Sequence, residues 1–263
     1  MARFSMRLDL ATWQEVDAYL KNSRGIIIPT GSTEQHGPMG LIGTDALCSE
    51  QIANEAGKKI GAYVAPTLAY TPAPFNMSFP GTISISVGLF EALVTEIIVS
   101  LIHHGFNKIY FINGHGANLE PLRQVADAFP KINIRIKSWW DFDSVDSLRQ
   151  NNFGDWEGMH ATPSEIAITQ ATHRTLPPGD ASKPPKKLSA SFMKAHAGDR
   201  HGPPDQHRKE FPDGRVGSHS ALANSKVGRK LIDAAVIALT HDYLAMKETK
   251  QPVEYPHISK NTY

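Results

Sequence analysis

Residues 24–38 read Arg-Gly-Ile-Ile-Ile-Pro-Thr-Gly-Ser-Thr-Glu-Gln-His-Gly-Pro. The isoleucine run reads as a buried strand over 24–30, with Pro29 marking its end. A second apolar run, Lys108 to Ile112, has the same character and empties into Asn113-Gly114-His115-Gly116-Ala117-Asn118. Strands buried on both faces belong to a parallel sheet covered by helices.

The intervals between these strands carry helical spacing. The periodicity predicts helices over 11–21, 44–59, 89–104, 119–129, 163–173 and 225–247, and further strands over 62–66 and 133–139. Residues 67–82 are rich in Pro, Thr and Asn and read as a loop. The expected fold is α/β: a single layered domain over 1–263, a mostly parallel sheet flanked by helices on both faces. Residues 175–217 are proline-rich, charged and aperiodic. They read as a long excursion with too few apolar residues for a core, a kind of loop that is usually functional or oligomer-forming. Residues 250–263 read as an irregular tail.

Composition narrows the function. The chain has 263 residues, with 27 Lys+Arg against 26 Asp+Glu, a formal net charge of +1. That balance offers no electrostatic footprint for nucleic acid or for an anionic membrane surface. No apolar stretch approaches the roughly 20 residues needed to cross a bilayer. The first ten residues hold no apolar signal core, so a cytoplasmic location is expected. The single cysteine, Cys48, excludes an internal disulfide and a cysteine-built zinc site, and reads as a small buried helix residue. Twelve histidines direct attention to metal chemistry.

In open parallel sheets ligands bind beyond the carboxyl ends of strands, and the informative residues stand there. Glu34 and His36 share one face if the chain is extended, and a carboxylate beside an imidazole suits Zn²⁺ or Mn²⁺. Asp45 follows nine residues after His36. His115 stands among glycines, where backbone approaches a ligand closely. Each has a plainer reading: Glu34 and His36 as solvated loop residues, Asp45 as a helix cap, His115 as a turn histidine. Two strand ends carrying Glu-x-His and Asn-Gly-His make the joint reading as a metal centre stronger than any one alone.

A third cluster is Trp156-Glu157-Gly158-Met159-His160-Ala161-Thr162-Pro163-Ser164-Glu165. Thr162-x-x-Glu165 is a capping-box pattern with Pro163 at the first helical position, so Glu165 reads equally as a cap and as a ligand. His160 precedes the helix, where it faces a cavity or the core. Trp156 reads as core or as the wall of a flat-substrate pocket. Trp139 and Trp140 end a strand, and one of them lines the pocket. Ser218 and Ser220 read as caps of the last helix. His196, His201 and His207 read as surface or subunit-contact residues.

Taken in order, 31–38, Gly43-Thr44-Asp45, Phe79-Pro80-Gly81-Thr82-Ile83 and 113–118 closely resemble the creatininase (creatinine amidohydrolase) family. The resemblance covers roughly residues 10–250 and is far more specific for the family than for a substrate. It implies a two-metal hydrolytic site holding Zn²⁺ and/or Mn²⁺, and a homo-oligomer, commonly a hexamer. It implies Glu34, Asp45 and His115 as ligands of one ion and His36 and Asp45 as ligands of the second, with Asp45 bridging. The family's creatininase adds a glutamate two residues after the Asn-Gly-His histidine. Ala117 occupies that position here and cannot ligate; family members with a Gly-rich Asn-Gly-His segment generally offer the glutamate at the position matched by Glu165, so the resemblance implies Glu165 as the remaining ligand of the second ion. By the same resemblance His160 carries a proton and Trp156 covers the substrate. Asn76 and the Gly116-Ala117 pair depart from the family near the expected pocket, and both bear on whether creatinine is the substrate.

The activity implied is hydrolysis of a C–N bond in a small cyclic amide or formamide, creatinine or a related compound, by water activated between two ions. Family members are thought to act also on formamidopyrimidines, a cofactor-precursor peptide or a cyclic polyol ketone. Two readings compete. A non-catalytic metal-binding protein of the same fold is opposed by the complete ligand set beside His160. A two-metal phosphoesterase would want Arg or Lys as a phosphate clamp, and none flanks 31–45, 113–118 or 156–165.

Overall fold

A computed structural model describes residues 5–246. Strands β1 (Gly25–Thr30), β2 (Tyr63–Val64), β3 (Lys108–Asn113) and β4 (Asn133–Ser138) pair in parallel in the order β2-β1-β3-β4. Every residue of β1 and β3 is buried. Alternation then divides their side chains between two cores. Ile26, Ile28, Ile109 and Phe111 pack against α1 (Trp13–Leu20), α3 (Val87–His103) and α4 (Leu119–Asp127). Ile27, Tyr110 and Ile112 face α2 (Thr44–Ile60), α5 (Asp143–Phe153), α6 (Pro163–Thr172) and α9 (Ser225–Ala245). The isoleucine run is thus the middle layer of an α/β/α arrangement, as its lack of polar alternation required. The α/β arrangement read from the sequence, a parallel sheet with helices on both faces, is the arrangement of the described residues.

β2 lies on one side of β1 and β3 on the other, so the direction of sheet growth reverses between β1 and β3. A crevice opens at such a switch point beyond the strands' carboxyl ends. β1 and β3 are in register from Gly25↔Lys108 to Thr30↔Asn113, so their two following loops leave the sheet side by side.

Several expectations are corrected. β1 runs through Pro29 rather than ending there; the Pro29 carbonyl accepts from Leu68 N–H at 3.0 Å, on the side where β2 has already ended. A proline there removes no donor from a regular ladder. The strand expected over 62–66 shrinks to two residues. α5 was not legible, because its sequence DSVDSLRQNNF buries only Val145 and Phe153. The excursion contains two short helices, α7 (Ala190–Ala195) and α8 (Pro204–Glu210). Asn224 caps α9, accepting from Val227 N–H, whereas Ser218 and Ser220 bond to the Val216 and Ala161 carbonyls. The tail over 250–263 lies outside the described residues.

Candidate metal centre

The floor of the crevice is knitted by the motif asparagines. Asn113 Nδ2 donates to the His115 carbonyl at 2.7 Å and Asn118 Nδ2 donates to the Gly31 carbonyl at 2.9 Å. A Cβ at Gly31 would overlap the Ala46 backbone, and one at Gly114 would overlap the Asp45 carbonyl. These two glycines let the first turn of α2 settle between the strand ends, which puts the Asp45 carboxylate at their centre. Ser32 Oγ donates to Asp45 Oδ2 at 2.8 Å and fixes its orientation.

Around Asp45 the donors divide in two. His115 Nδ1 stands 3.2 Å from Glu34 Oε1 and 3.1 Å from Asp45 Oδ2. His36 Nε2 stands 2.8 Å from Asp45 Oδ1 and 3.8 Å from Glu165 Oε1. One carboxylate therefore offers an oxygen to each group, and both groups have the size to hold a cation. The outward nitrogens are tied down: His115 Nε2 donates to the Pro72 carbonyl at 2.8 Å, and His36 Nδ1 to the Glu34 carbonyl at 3.1 Å. Such backbone partners set the tautomer that leaves a lone pair for a metal. Glu34 Oε1 is buried and accepts no hydrogen bond, an orphan aimed into the first group. The residues present therefore fit divalent cations.

The capping reading of Glu165 is realised, and the same Oε1 that caps also lies toward His36. Its carboxylate receives the Thr162 backbone N–H in a complete capping box.

The electrostatics show the same demand for positive charge. Burial opposes a charge on His36, but Asp45 and Glu165 outweigh it and hold the imidazole up to about 10. Burial likewise opposes protonation of His115, and Glu34 and Asp45 lift it well above the ordinary range. Burial pushes Glu165 up to about 8, with His36 opposing and Asp45 adding. Protons here stand where cations would otherwise offset the carboxylates. His160 shifts the other way, down to about 4, by burial and then by His36.

His160 Nε2 donates to the Gln35 carbonyl at 2.7 Å, which leaves Nδ1 facing Glu34 Oε1 at 3.6 Å. The backbone of His160 pairs with Val216, and Ala161 behind it adopts φ +57°. His160 also forms a third possible donor group with Glu34 and His36. Asn76 does not line the cavity; its Nδ2 donates to Glu34 Oε2 at 3.0 Å and its Oδ1 accepts from Gln35 Nε2 at 2.8 Å. Gly116 lines the cavity, whereas Ala117 does not. Trp156 also stands outside the lining, its ring edge-on to His219 and under Lys187 Nζ at 4.7 Å.

The cavity measures about 170 Å³ and is walled by both Trp139 and Trp140. Two of its residues were missed in the sequence. Arg149 reaches the wall from α5 and is held by Glu157 Oε1 at 3.0 Å. The absence of a cation near the motifs is therefore corrected: an arginine arrives from a helix whose polar sequence gave no periodic signal. Asp199 reaches the wall from the excursion, its Oδ2 3.6 Å from His115 Nδ1. Burial pushes its carboxyl up to about 6, with His115 opposing. Of the excursion histidines, His207 is buried rather than on the surface, and His196 and His201 are half-buried; His201 and His207 pack on Phe75 with centroids at 4.8 and 5.1 Å.

A model of the family described as creatinine amidohydrolase matches residues 9–242. The mycofactocin precursor peptide peptidase of Mycolicibacterium smegmatis is 37% identical over 103 residues, 37% of this chain and 41% of that protein. The creatinine amidohydrolase of Pseudomonas putida is 26% identical over 186 residues, 63% of this chain and 71% of that protein. The 3-dehydro-scyllo-inosose hydrolase of Thermotoga maritima is 33% identical over 156 residues, 58% of this chain and 49% of that protein. The matches thus span about two fifths of the peptidase and half of the inosose hydrolase. A crystal structure of creatinine amidohydrolase (creatininase) superposes with a TM-score of 0.75 at 20% identity, covering 90% of this chain and 96% of that one.

Proposed function

The chain belongs to the creatininase family, and from that premise we propose that it is a metal-dependent amidohydrolase cleaving a C–N bond of a small amide. Glu34, Asp45 and His115 hold one divalent cation, and His36, Asp45 and Glu165 a second, Zn²⁺ or Mn²⁺. The observation that carries this reading is the division of the Asp45 oxygens between two histidine-bearing donor groups. Bound there, the cations would supply Lewis acidity and a water of lowered pKa.

The chain's own residues do the rest. Trp139 and Trp140, packed edge-on with centroids at 5.6 Å, both contribute to the cavity wall and would offer aromatic surface to a small amide. His160, with Nε2–H committed to Gln35, has Nδ1 available to take up a proton and pass it to the departing nitrogen. Asn76 braces Glu34 through a hydrogen bond and acts on substrate only through it. The Gly116 backbone contributes wall, and Ala117 supports it from behind. Trp156, edge-on to His219 beside the cavity, is carried over as the residue that would cover the substrate.

A second reading of the substrate rests on Arg149. A guanidinium in the wall favours an amide that also bears a carboxylate, such as a peptide C-terminus. Creatinine, a formamide, a dipeptide and a cyclic polyol ketone, each offered to Mn²⁺- or Zn²⁺-loaded protein beside a chelated control, separate the readings. Metal-dependent C–N hydrolysis of any of the three amides, seen as ring opening for creatinine and as release of an amine from the formamide or the dipeptide, supports the proposal. Turnover that survives chelation, or turnover of the ketone alone, overturns it.

The chain is read as one domain that assembles with its own copies. The exposed Val87, Leu89 and Leu93 of α3 support a homo-oligomer, to be counted by sedimentation. A cytoplasmic location is part of the proposal; among the described residues no helix is long and apolar enough to cross a membrane.

A further inference from the structure

We propose that Asp199 is a fourth ligand of the Glu34–Asp45–His115 group, carried there by the excursion, so that filling this site fastens residues 190–210 over the cavity. The inference rests on the reading of that group as a cation site.

The first observation is the donor geometry. His115 Nε2 is committed to the Pro72 carbonyl, so Nδ1 presents a lone pair. Around Nδ1 stand Asp45 Oδ2 at 3.1 Å, Glu34 Oε1 at 3.2 Å and Asp199 Oδ2 at 3.6 Å. Bonds of roughly 2.0–2.1 Å to a tetrahedral zinc place its ligand atoms about 3.3–3.4 Å apart. These three separations, all measured from Nδ1, bracket that edge length, while Asp199 stands just outside the tight Glu34–Asp45–His115 group and would close on it when a cation binds. Glu34 Oε1, buried and without a hydrogen bond, points into the same space.

The second observation is how Asp199 is placed. Its neighbours Gly198 and Arg200 are exposed, whereas its own side chain is only 12% exposed. It adopts φ +57°; among the described residues only Ala161, behind His160, is another non-glycine with positive φ. A left-handed aspartate turns one side chain inward from an otherwise solvated segment, at a backbone cost that persists only where the surroundings hold it. Ala117 N–H donates to Asp199 Oδ2 at 3.0 Å and orients it. A Cβ at residue 116 would overlap that same oxygen, so Gly116 is the residue that admits it. The Gly116-Ala117 pair, which departs from the family pattern, thus receives a carboxylate from elsewhere in the chain.

The test uses the full chain. Wild type and Asp199→Asn are stripped, then titrated with Zn²⁺ against a competing chelator. Both are digested with trypsin, with and without Zn²⁺, and cleavage is followed at Lys194 and Arg200, the exposed basic residues flanking Asp199. Asparagine keeps the acceptor for Ala117 N–H and removes the charge. The expected result is that one of two zinc affinities falls roughly 10-fold or more in Asp199→Asn, and that zinc slows cleavage at both positions in wild type but not in the variant. Two undiminished affinities in Asp199→Asn overturn the proposal, as does cleavage of wild type that zinc leaves unchanged. Wild type that binds no zinc overturns the cation site itself, a different failure from either of these. Should Asp199→Asn not fold, the effect of zinc on wild-type cleavage decides alone.

Discussion

The floor and the roof of the crevice are built by opposite means. The floor, 31–45 and 113–118, follows two adjacent parallel strands whose register is fixed over six residue pairs. Its side chains leave a scaffold that is buried on both faces. The roof, 175–217, has no strand and only two short helices, and it approaches through single side chains: Asp199, His201 and His207. Backbone hydrogen bonding positions the floor, whereas the middle of the roof, 190–210, is held by side-chain packing on Phe75, by hydrogen bonds joining Asp205 and Arg208 to Ser78 and by charge at His115; its end is tied by backbone pairing of Val216 with His160. A rigid base under a separable cover is how metallohydrolases both fix their ligands and admit a substrate.

The sharpest way to break this comparison is at the shared floor residue. Asp45→Ala removes one oxygen from each donor group, so metal analysis should find both ions lost and turnover at the level of chelated protein. Retention of one ion would mean that the two groups do not share Asp45. A smaller effect is expected at the junction of floor and roof. His160→Ala should keep both ions and lose about 10²- to 10⁴-fold in turnover. If it loses an ion instead, the third donor group with Glu34 and His36 is the one occupied, and His160 belongs to the floor as a ligand.

The smallest effect is confined to the roof. Burial, with His207, His160 and His196 adding, holds His201 down to about 3. Burial, with Glu34 opposing and His196 adding, holds His207 down to about 4. An opened roof would titrate both near 6.5. The open form thus binds more protons between these values, and closure is favoured at neutral pH and lost as pH falls from about 6.5 toward 4. Hydrogen exchange at pH 7 and pH 5 should show amides of 190–210 losing protection while those of β1 and β3 keep theirs. Equal loss in both regions would mean that floor and roof open as one unit.

Legibility follows the same division. Glu34, His36 and His115 were readable because each lies within a few residues of a strand end, where backbone geometry and side-chain chemistry are both local; Asp45, in the first turn of α2, was readable from its short motif. Glu165 was half readable: the capping box is a local pattern, but the approach of its carboxylate to His36 depends on where α6 docks. Asn76 was singled out as a pocket residue, and tertiary structure made it a brace for Glu34 instead. Arg149 and Asp199 carried no signal, since a polar helix and an aperiodic loop have no periodicity to betray which residue turns inward.

By itself, then, the sequence determined the buried parallel sheet, the family and the four candidate donors Glu34, His36, Asp45 and His115, because hydrophobic runs and short motifs act through neighbours along the chain. Only the tertiary structure decided what completes the site. The docking of α5, α6 and the excursion is set by contacts between residues far apart in the chain, and no local pattern records which side chains those contacts carry into the crevice.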